Sequence, residues 1–285
     1  MTDHGTTGIT LTRIVSICSG KGGVGKSILA FNLAERLASM GVRVLLIDAD
    51  SNCGDLHVLA NIEVSCGFRE FVRGQLTLAE AVISTRYGFD MLAAGAGEVL
   101  RTDADITPVA ECMAALRTQS SPYDIIIMDH SSGVSKATEV MAHASDIVLL
   151  LLVPELTSIS DAFGLFKHLK HTDSGIDCRL VVNRAESAEE ADYIRTKFQA
   201  ITRRFIGSSP VYLGDVAEAA EIRKGVASQT AVAQIAPEAH VTQTLKTLAG
   251  RLLEACGRST AAQTNEQLDV ENEINKTTAL ADIRE

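Results

Sequence analysis

The sequence predicts an α/β fold: a doubly wound, mostly parallel sheet with helices on both faces. Three observations predict it. Apolar runs of strand length alternate with helix-patterned segments along most of the chain. A glycine-rich segment, Ser19–Ser27, joins the first apolar run to the first helical pattern. Aspartates close two of the apolar runs, at Asp48 and Asp129, and the carboxyl ends of parallel strands are where such sheets open onto a ligand crevice.

The first run, residues 13–18, is a strand. From Gly20 to Ser27 the chain then spells G-x-x-x-x-G-K-S, a phosphate-binding loop in a strand–loop–helix setting. Gly20, Gly22, Gly23 and Gly25 allow successive backbone N–H groups, including that of Val24, to turn toward phosphate oxygens. Lys26 reaches the β- and γ-phosphates, and the Ser27 hydroxyl is a Mg²⁺ ligand. The following helix, through Ile28, adds its positive N-terminal end to the same anion. The alternative for this stretch alone is an ordinary Gly-rich turn.

Residues 27–40 repeat apolar side chains at helical spacing, and Gly41 supplies the stop. Val42–Ile47 is the next buried strand and ends at Asp48-Ala49-Asp50. Further strands are expected near 89–93, 124–129, 146–153, 178–183 and 210–213. Helices are expected near 77–84, 106–119, 134–144, 157–170, 187–204 and 237–256. The alternation predicts one domain over residues 13–257, after a flexible lead-in at 1–12 and before a polar, acidic, mobile tail at 258–285.

With 46% hydrophobic and 22% charged residues, the chain can bury a sizeable core. A formal charge of −10 argues against a protein that coats nucleic acid, and the absence of Trp argues against stacking platforms for single strands. The six cysteines include no CxxC pair, and Cys18, Cys112 and Cys178 lie in or beside apolar runs, as buried small hydrophobes do. The N-terminus shows no secretory pattern and no apolar run reaches bilayer length, so a cytoplasmic, reduced-thiol protein is expected.

Lys21 is a second lysine that a plain phosphate loop does not need, and Lys21–Ser27, K-G-G-V-G-K-S, resembles the deviant Walker A motif of the MinD/ParA family of ATPases. Other stretches resemble that family in the same order: Asp48-Ala49-Asp50, Asp124–Gly133, Val153–Ala162 and Leu180–Arg184, over roughly residues 13–255. The run Asn183–Ala191 is most similar to the FlhG/FleN group of flagellar-number regulators. The resemblance implies ATP and Mg²⁺, with Lys21 crossing a nucleotide-sandwich homodimer to the partner's phosphates and Asp50 positioning the attacking water. It also implies that Asp48 and Asp129 support the Mg²⁺ shell, that the Gly133 N–H senses the γ-phosphate, and that Asn183 contacts adenine. Where that family has D-x-P-A-G or D-T-G-A-G, this chain has Asp129-His130-Ser131-Ser132-Gly133, and it has Asp55 where Asn is common. His130 is expected to be a lone exposed loop residue. The D-Q-A element and C-terminal amphipathic helix of FlhG proteins are not found.

The function implied is an ATP-dependent dimerisation switch that positions or regulates a protein client, with peripheral association to the inner membrane through partners. The second reading is a DNA-partition ATPase of ParA type, with Arg195, Lys197, Arg203 and Arg204 as candidate phosphate contacts, although four basic residues on one helix are usually a solvated face. A third, a redox or metal-delivery relative, would need cysteines near the second aspartate strand. Docking on a membrane through the tail is disfavoured, because beyond Arg258 at its start only Lys276 and Arg284 are basic there among many carboxylates.

Overall fold

The computed structural model describes residues 12–50, 54–95, 106–117 and 121–258. Apart from Thr12 and Arg258, the expected lead-in and tail lie outside the described residues. The first half runs β1 (Arg13–Cys18), α1 (Lys26–Ser39), β2 (Val44–Ala49), α2 (Leu56–Ala60), α3 (Phe68–Val72), α4 (Leu78–Ala81), β3 (Ile83–Ser84), β4 (Asp90–Leu92) and α5 (Thr107–Leu116). The second half runs β5 (Ile125–His130), α6 (Lys136–His143), β6 (Ile147–Leu152), α7 (Leu156–Thr172), β7 (Cys178–Ala185), α8 (Ala188–Ile206), β8 (Val211–Ala217), α9 (Ala220–Ala227), α10 (Val232–Ile235) and α11 (His240–Ala255).

The strands join one sheet in the order β3-β4-β2-β5-β1-β6-β7-β8, all parallel except for the β3–β4 pair. β2, β5 and β6 are buried at every position, which explains why they read as unbroken apolar runs rather than alternating ones. Val15, Ile17, Leu46 and Ile127 pack under α1 and α11 on one face. On the other, Ile14, Leu45, Ile126 and Met128 meet the side of α3, α5 and α6, while Val148, Leu150 and Leu180 meet α7 and α8. β1 pairs with β5 on one side and β6 on the other, and the connections leave it in opposite directions. The carboxyl end of β1 is therefore the topological switch point, where a crevice must open.

Local chemistry accounts for the helix ends that matter here. Gly41, at φ 84°, follows α1 in the left-handed conformation that stops a helix. Ser187 caps α8 by accepting from Glu190 N, and Gly207 ends it. The expected helix over 77–84 is corrected: it stops after one turn, and Ile83 and Ser84 form an antiparallel edge strand on β4. Val82 and Ile83, both β-branched, favour the extended chain once the Thr77–Glu80 capping box has used its turn. Short helices α2, α3, α9 and α10 were not expected; each has at most eight residues, too few for a periodic signal.

Candidate functional site

The loop after β1 wraps the switch point. Gly20 approaches the backbone of Asp161 in α7 so closely that a Cβ would lie 2.2 Å from its carbonyl carbon. Gly25 caps α1 at φ 93°, and a Cβ there would meet the Asn183 amide nitrogen at 2.6 Å. No side chain caps α1, so its first-turn N–H groups are left for a ligand at the positive end of the helix. Ser19 Oγ donates to Lys21 O at 2.7 Å, and Asn183 Nδ2 donates to Val24 O at 2.7 Å, tying the loop from below. Asn183 thus spends one amide proton on the loop while its side chain lines the neighbouring cavity.

Lys26 is buried beside Asp129, and its charge and the neighbouring Ser27 hydroxyl both act to lower the Asp129 carboxyl. Burial is the largest effect on Asp129, and despite Ser27 and Lys26 it lifts the carboxyl to about 7. Asp48, 1% exposed, is likewise pushed to about 7 by burial and by Asp129. Asp48 accepts from Asp50 N at 3.2 Å and Leu56 N at 3.1 Å, so it also shapes the turn that carries Asp50. Asp129 Oδ1 is buried without a hydrogen-bond partner among the described residues. A hard divalent cation fits here: carboxylate and hydroxyl oxygens are its preferred donors, and a cation would satisfy that oxygen.

Lys21 sits on the rim. Its Nζ pairs with Glu155 and donates to Thr157 Oγ1 at 3.0 Å, both from the start of α7. Gly133 N donates to Ser19 O at 2.9 Å, so the N–H expected to face a γ-phosphate is bonded to the loop itself. Gly22 and Gly23 lie along the same loop, with Ser132 Oγ 3.4 Å from a Cβ built on Gly22.

The expectation for His130 is overturned. It is the last residue of β5, 1% exposed, and its Nε2 lies 2.7 Å from Ser16 Oγ. Burial, with Lys26 nearby, drives its pKa down to about 3, so the ring is neutral. Cys18, Cys112 and Cys178 are buried as expected, and burial raises each thiol. On α8, Arg195 pairs with Asp192, while Lys197 and Arg204 lie over Tyr193 and Phe205.

Beside the loop opens a cavity of about 390 Å³, the size of a small-ligand site. Gly23, Gly25, Ile28, Leu29 and Asn183 form one side, and Val216–Ala219, Ile222, Arg223 and Val226 the other. The apolar walls can take the faces of a planar ring, and Asn183 and Arg184 stand at its edge. Most of the second wall escaped the sequence, because Ala217-Glu218-Ala219 matches no motif. The structure marks this wall by a bulge: the register shifts between Asn183 and Ala185, Arg184 lies at φ 57°, and its Nε donates to Glu218 Oε2 at 2.7 Å.

Comparison with known proteins supports the same picture. A family model described as an AAA domain matches residues 12–180. The antiactivator FleN of Pseudomonas aeruginosa is 27% identical over 84% of this chain and 86% of its own. The flagellum site-determining protein YlxH of Helicobacter pylori is 25% identical over 85% of this chain and 82% of its own. Among solved structures, the septum site-determining protein MinD from Pyrococcus horikoshii, complexed with Mg-ADP, superposes with a TM-score of 0.71 at 24% identity, covering 85% of this chain and 96% of that one.

Proposed function

We propose, from the premise that this chain belongs to the MinD/ParA family of AAA-domain proteins, that it is an ATPase working as an ATP-dependent dimerisation switch and spatial regulator. The observation that carries the reading is one convergence at the carboxyl ends of β1 and β5. Uncapped N–H groups of α1, Lys26, Ser27 and a buried Asp129 oxygen without a partner all meet there.

The residues divide the work as follows. Gly20, Gly22, Gly23, Val24, Gly25 and Ile28 present backbone N–H groups to the phosphates, and Lys26 neutralises them. Ser27 and Asp129, supported by Asp48, hold Mg²⁺, which when bound would offset charge on the β- and γ-oxygens. Asp50 orients a water in line with the γ-phosphate. The adenine occupies the cavity between Asn183 and Val216–Ala219. Lys21 serves the phosphates of a second copy, so that ATP bridges a homodimer.

Two contacts lie in the way of the switch: Lys21 with Glu155, and Gly133 N–H with Ser19 O. Both must exchange for the γ-phosphate to be sensed from both subunits. The Lys21–Glu155 pair is exposed and screened by water, so it gives way readily. The proposed client is a protein, after FleN, named an antiactivator, and YlxH, named a flagellum site-determining protein. The place of action is the cytoplasm, with any membrane association through partners; among the described residues no helix is long and apolar enough to cross a membrane. DNA binding is not favoured, since the α8 cations already have neighbours: Arg195 pairs with Asp192, Arg203 bonds Ser209, and Lys197 and Arg204 lie over Tyr193 and Phe205.

Size measurement in solution tests the switch. Asp50→Ala with ATP and Mg²⁺ should run as a dimer, and with ADP as a monomer, because binding persists while hydrolysis stops. A monomer at saturating ATP would sink the proposal.

A further inference from the structure

We infer that His130, Ser16 and Ser145 form a directed, buried hydrogen-bond chain, and that His130 is a positioning residue that holds the end of β5 where Asp129 can meet Mg²⁺. The inference rests on the nucleotide reading above.

Side chains alternate along β5. Asp129 faces α1 and Ser27, so His130 must face the opposite layer. There its Nε2 lies 2.7 Å from Ser16 Oγ on β1. Ser16 Oγ lies 2.7 Å from Ser145 Oγ, in the turn between α6 and β6. Ser145 Oγ donates to Met141 O, in the last turn of α6, at 2.8 Å.

The direction of the chain follows from counting protons. A carbonyl oxygen only accepts, so the single Ser145 hydroxyl proton goes to Met141 O. Ser145 Oγ then accepts from Ser16, whose only proton is thereby used. Ser16 must accept from His130, which assigns the proton to Nε2 and leaves Nδ1 bare. That Nδ1 is buried with no hydrogen-bond partner among the described residues. An unpaired buried acceptor costs stability, so an apolar residue would fill this position more cheaply if packing were its only role.

What the chain joins gives the role. It connects the end of β5, the centre of β1 and the end of α6, and so brackets the segment that holds Ser131–Ser135 and α6. The far end is pinned again by Arg117 Nε, which donates to Ala144 O at 3.0 Å, and by Asp146 Oδ2, which accepts from Ile14 N at 2.8 Å. Gly133 can then exchange its hydrogen bond while Asp129 stays in place.

The test is a Mg²⁺ titration of fluorescent ADP binding to the full chain, with nucleotide affinity in EDTA and thermal melts measured alongside. His130→Leu and Ser16→Ala should raise the half-saturating Mg²⁺ concentration about tenfold, as loss of an outer-shell partner does. Metal-free affinity should stay within about twofold, and His130→Gln, which keeps a donor near Nε2, should restore most of the loss. Folded variants that need no extra Mg²⁺, or that lose equal affinity with and without it, overturn the inference while the nucleotide reading stands. A wild type that binds no nucleotide overturns both. Nitrogen-15 NMR of the wild type needs no variant: a proton on Nδ1 and a bare Nε2 at His130 would overturn the chain's direction.

Discussion

Asn183 shows how one side chain can serve two surfaces. Its Nδ2 proton is spent on Val24 O, and the same amide presses against Gly25, whose missing Cβ makes room for it. The loop and the cavity proposed for adenine therefore share a support. Asn183→Ala leaves a buried carbonyl unpaired, at a cost of about 1–3 kcal/mol, and should weaken ADP binding about tenfold or more. Asn183→Asp should do no better, because a carboxylate cannot donate to Val24 O and adds negative charge beside the phosphates. Calorimetric titration with Mg-ADP decides it, and either variant binding within twofold of wild type would remove the support role. Gly25→Ala should behave worse than both, since φ 93° and the Asn183 contact each oppose a Cβ.

At the scale of elements, the clearest organiser opposite the site is Asp124, just before β5. It accepts from Arg43 N at 3.0 Å, Arg43 Nη2 at 2.8 Å and Arg258 Nη1 at 2.7 Å, joining the starts of β2 and β5 to the residues after α11. Burial alone would raise its pKa, but hydrogen bonds from Arg43 and the Arg258 charge outweigh that and lower it to about 2. A carboxylate lowered in the folded state stabilises at pH above its unfolded value, 3.8, and that contribution is lost as pH falls toward 2. Asp124→Asn should thus cost about 1–2 kcal/mol at pH 7, discounted for the exposure of Arg43. The gap between variant and wild type should close between pH 4 and about 2 in urea melts. A gap that is constant with pH would show that shape, not charge, does the joining.

The same scale shows what could be inferred from residues alone. β6 is apolar throughout, and β2 and β5 are apolar up to Asp48 and Asp129, because these strands are buried on both faces, so their position was legible. So was the loop, whose glycines answer to local backbone demands. The edge strand at Ile83–Ser84 was not, because a two-residue strand is decided by a neighbour distant in sequence rather than by its own pattern. The burial of His130 was hidden for a similar reason: its partner Ser16 is 114 residues away, Ser16 in turn meets Ser145 across 129 residues, and only the sheet brings them together. The second wall of the cavity comes from β8 and α9, where Val216 and Ile222 also belong to the core edge while Val226 stands exposed. Nothing in their spacing separates core edge from cavity wall.

For the whole molecule, the position of the site in the sheet matters more than any single contact. The loop springs from β1, an interior strand held between β5 and β6, and runs into α1, which packs on α11 from the far end of the described chain. A ligand held there bridges elements from both halves of the sheet, so opening the site demands more than local fraying. Binding should therefore appear as global stability. At a hundredfold excess over Kd, ligand linkage adds about 2.7 kcal/mol, and for a domain of this size each kcal/mol moves Tm by about 2–4 °C. Mg-ADP should accordingly raise the melting temperature by about 5–10 °C, with a smaller rise for ADP in EDTA. Lys26→Ala should abolish the rise, because the uncapped α1 terminus alone cannot offset the charge of two phosphates. It should leave the ligand-free melt nearly unchanged, since Lys26 is held for the ligand rather than for the core. A full shift in Lys26→Ala would place the nucleotide elsewhere. A shift confined to hydrogen exchange in residues 19–29, with no change in Tm, would show that the loop opens as a local unit and that the sheet does not feel its ligand.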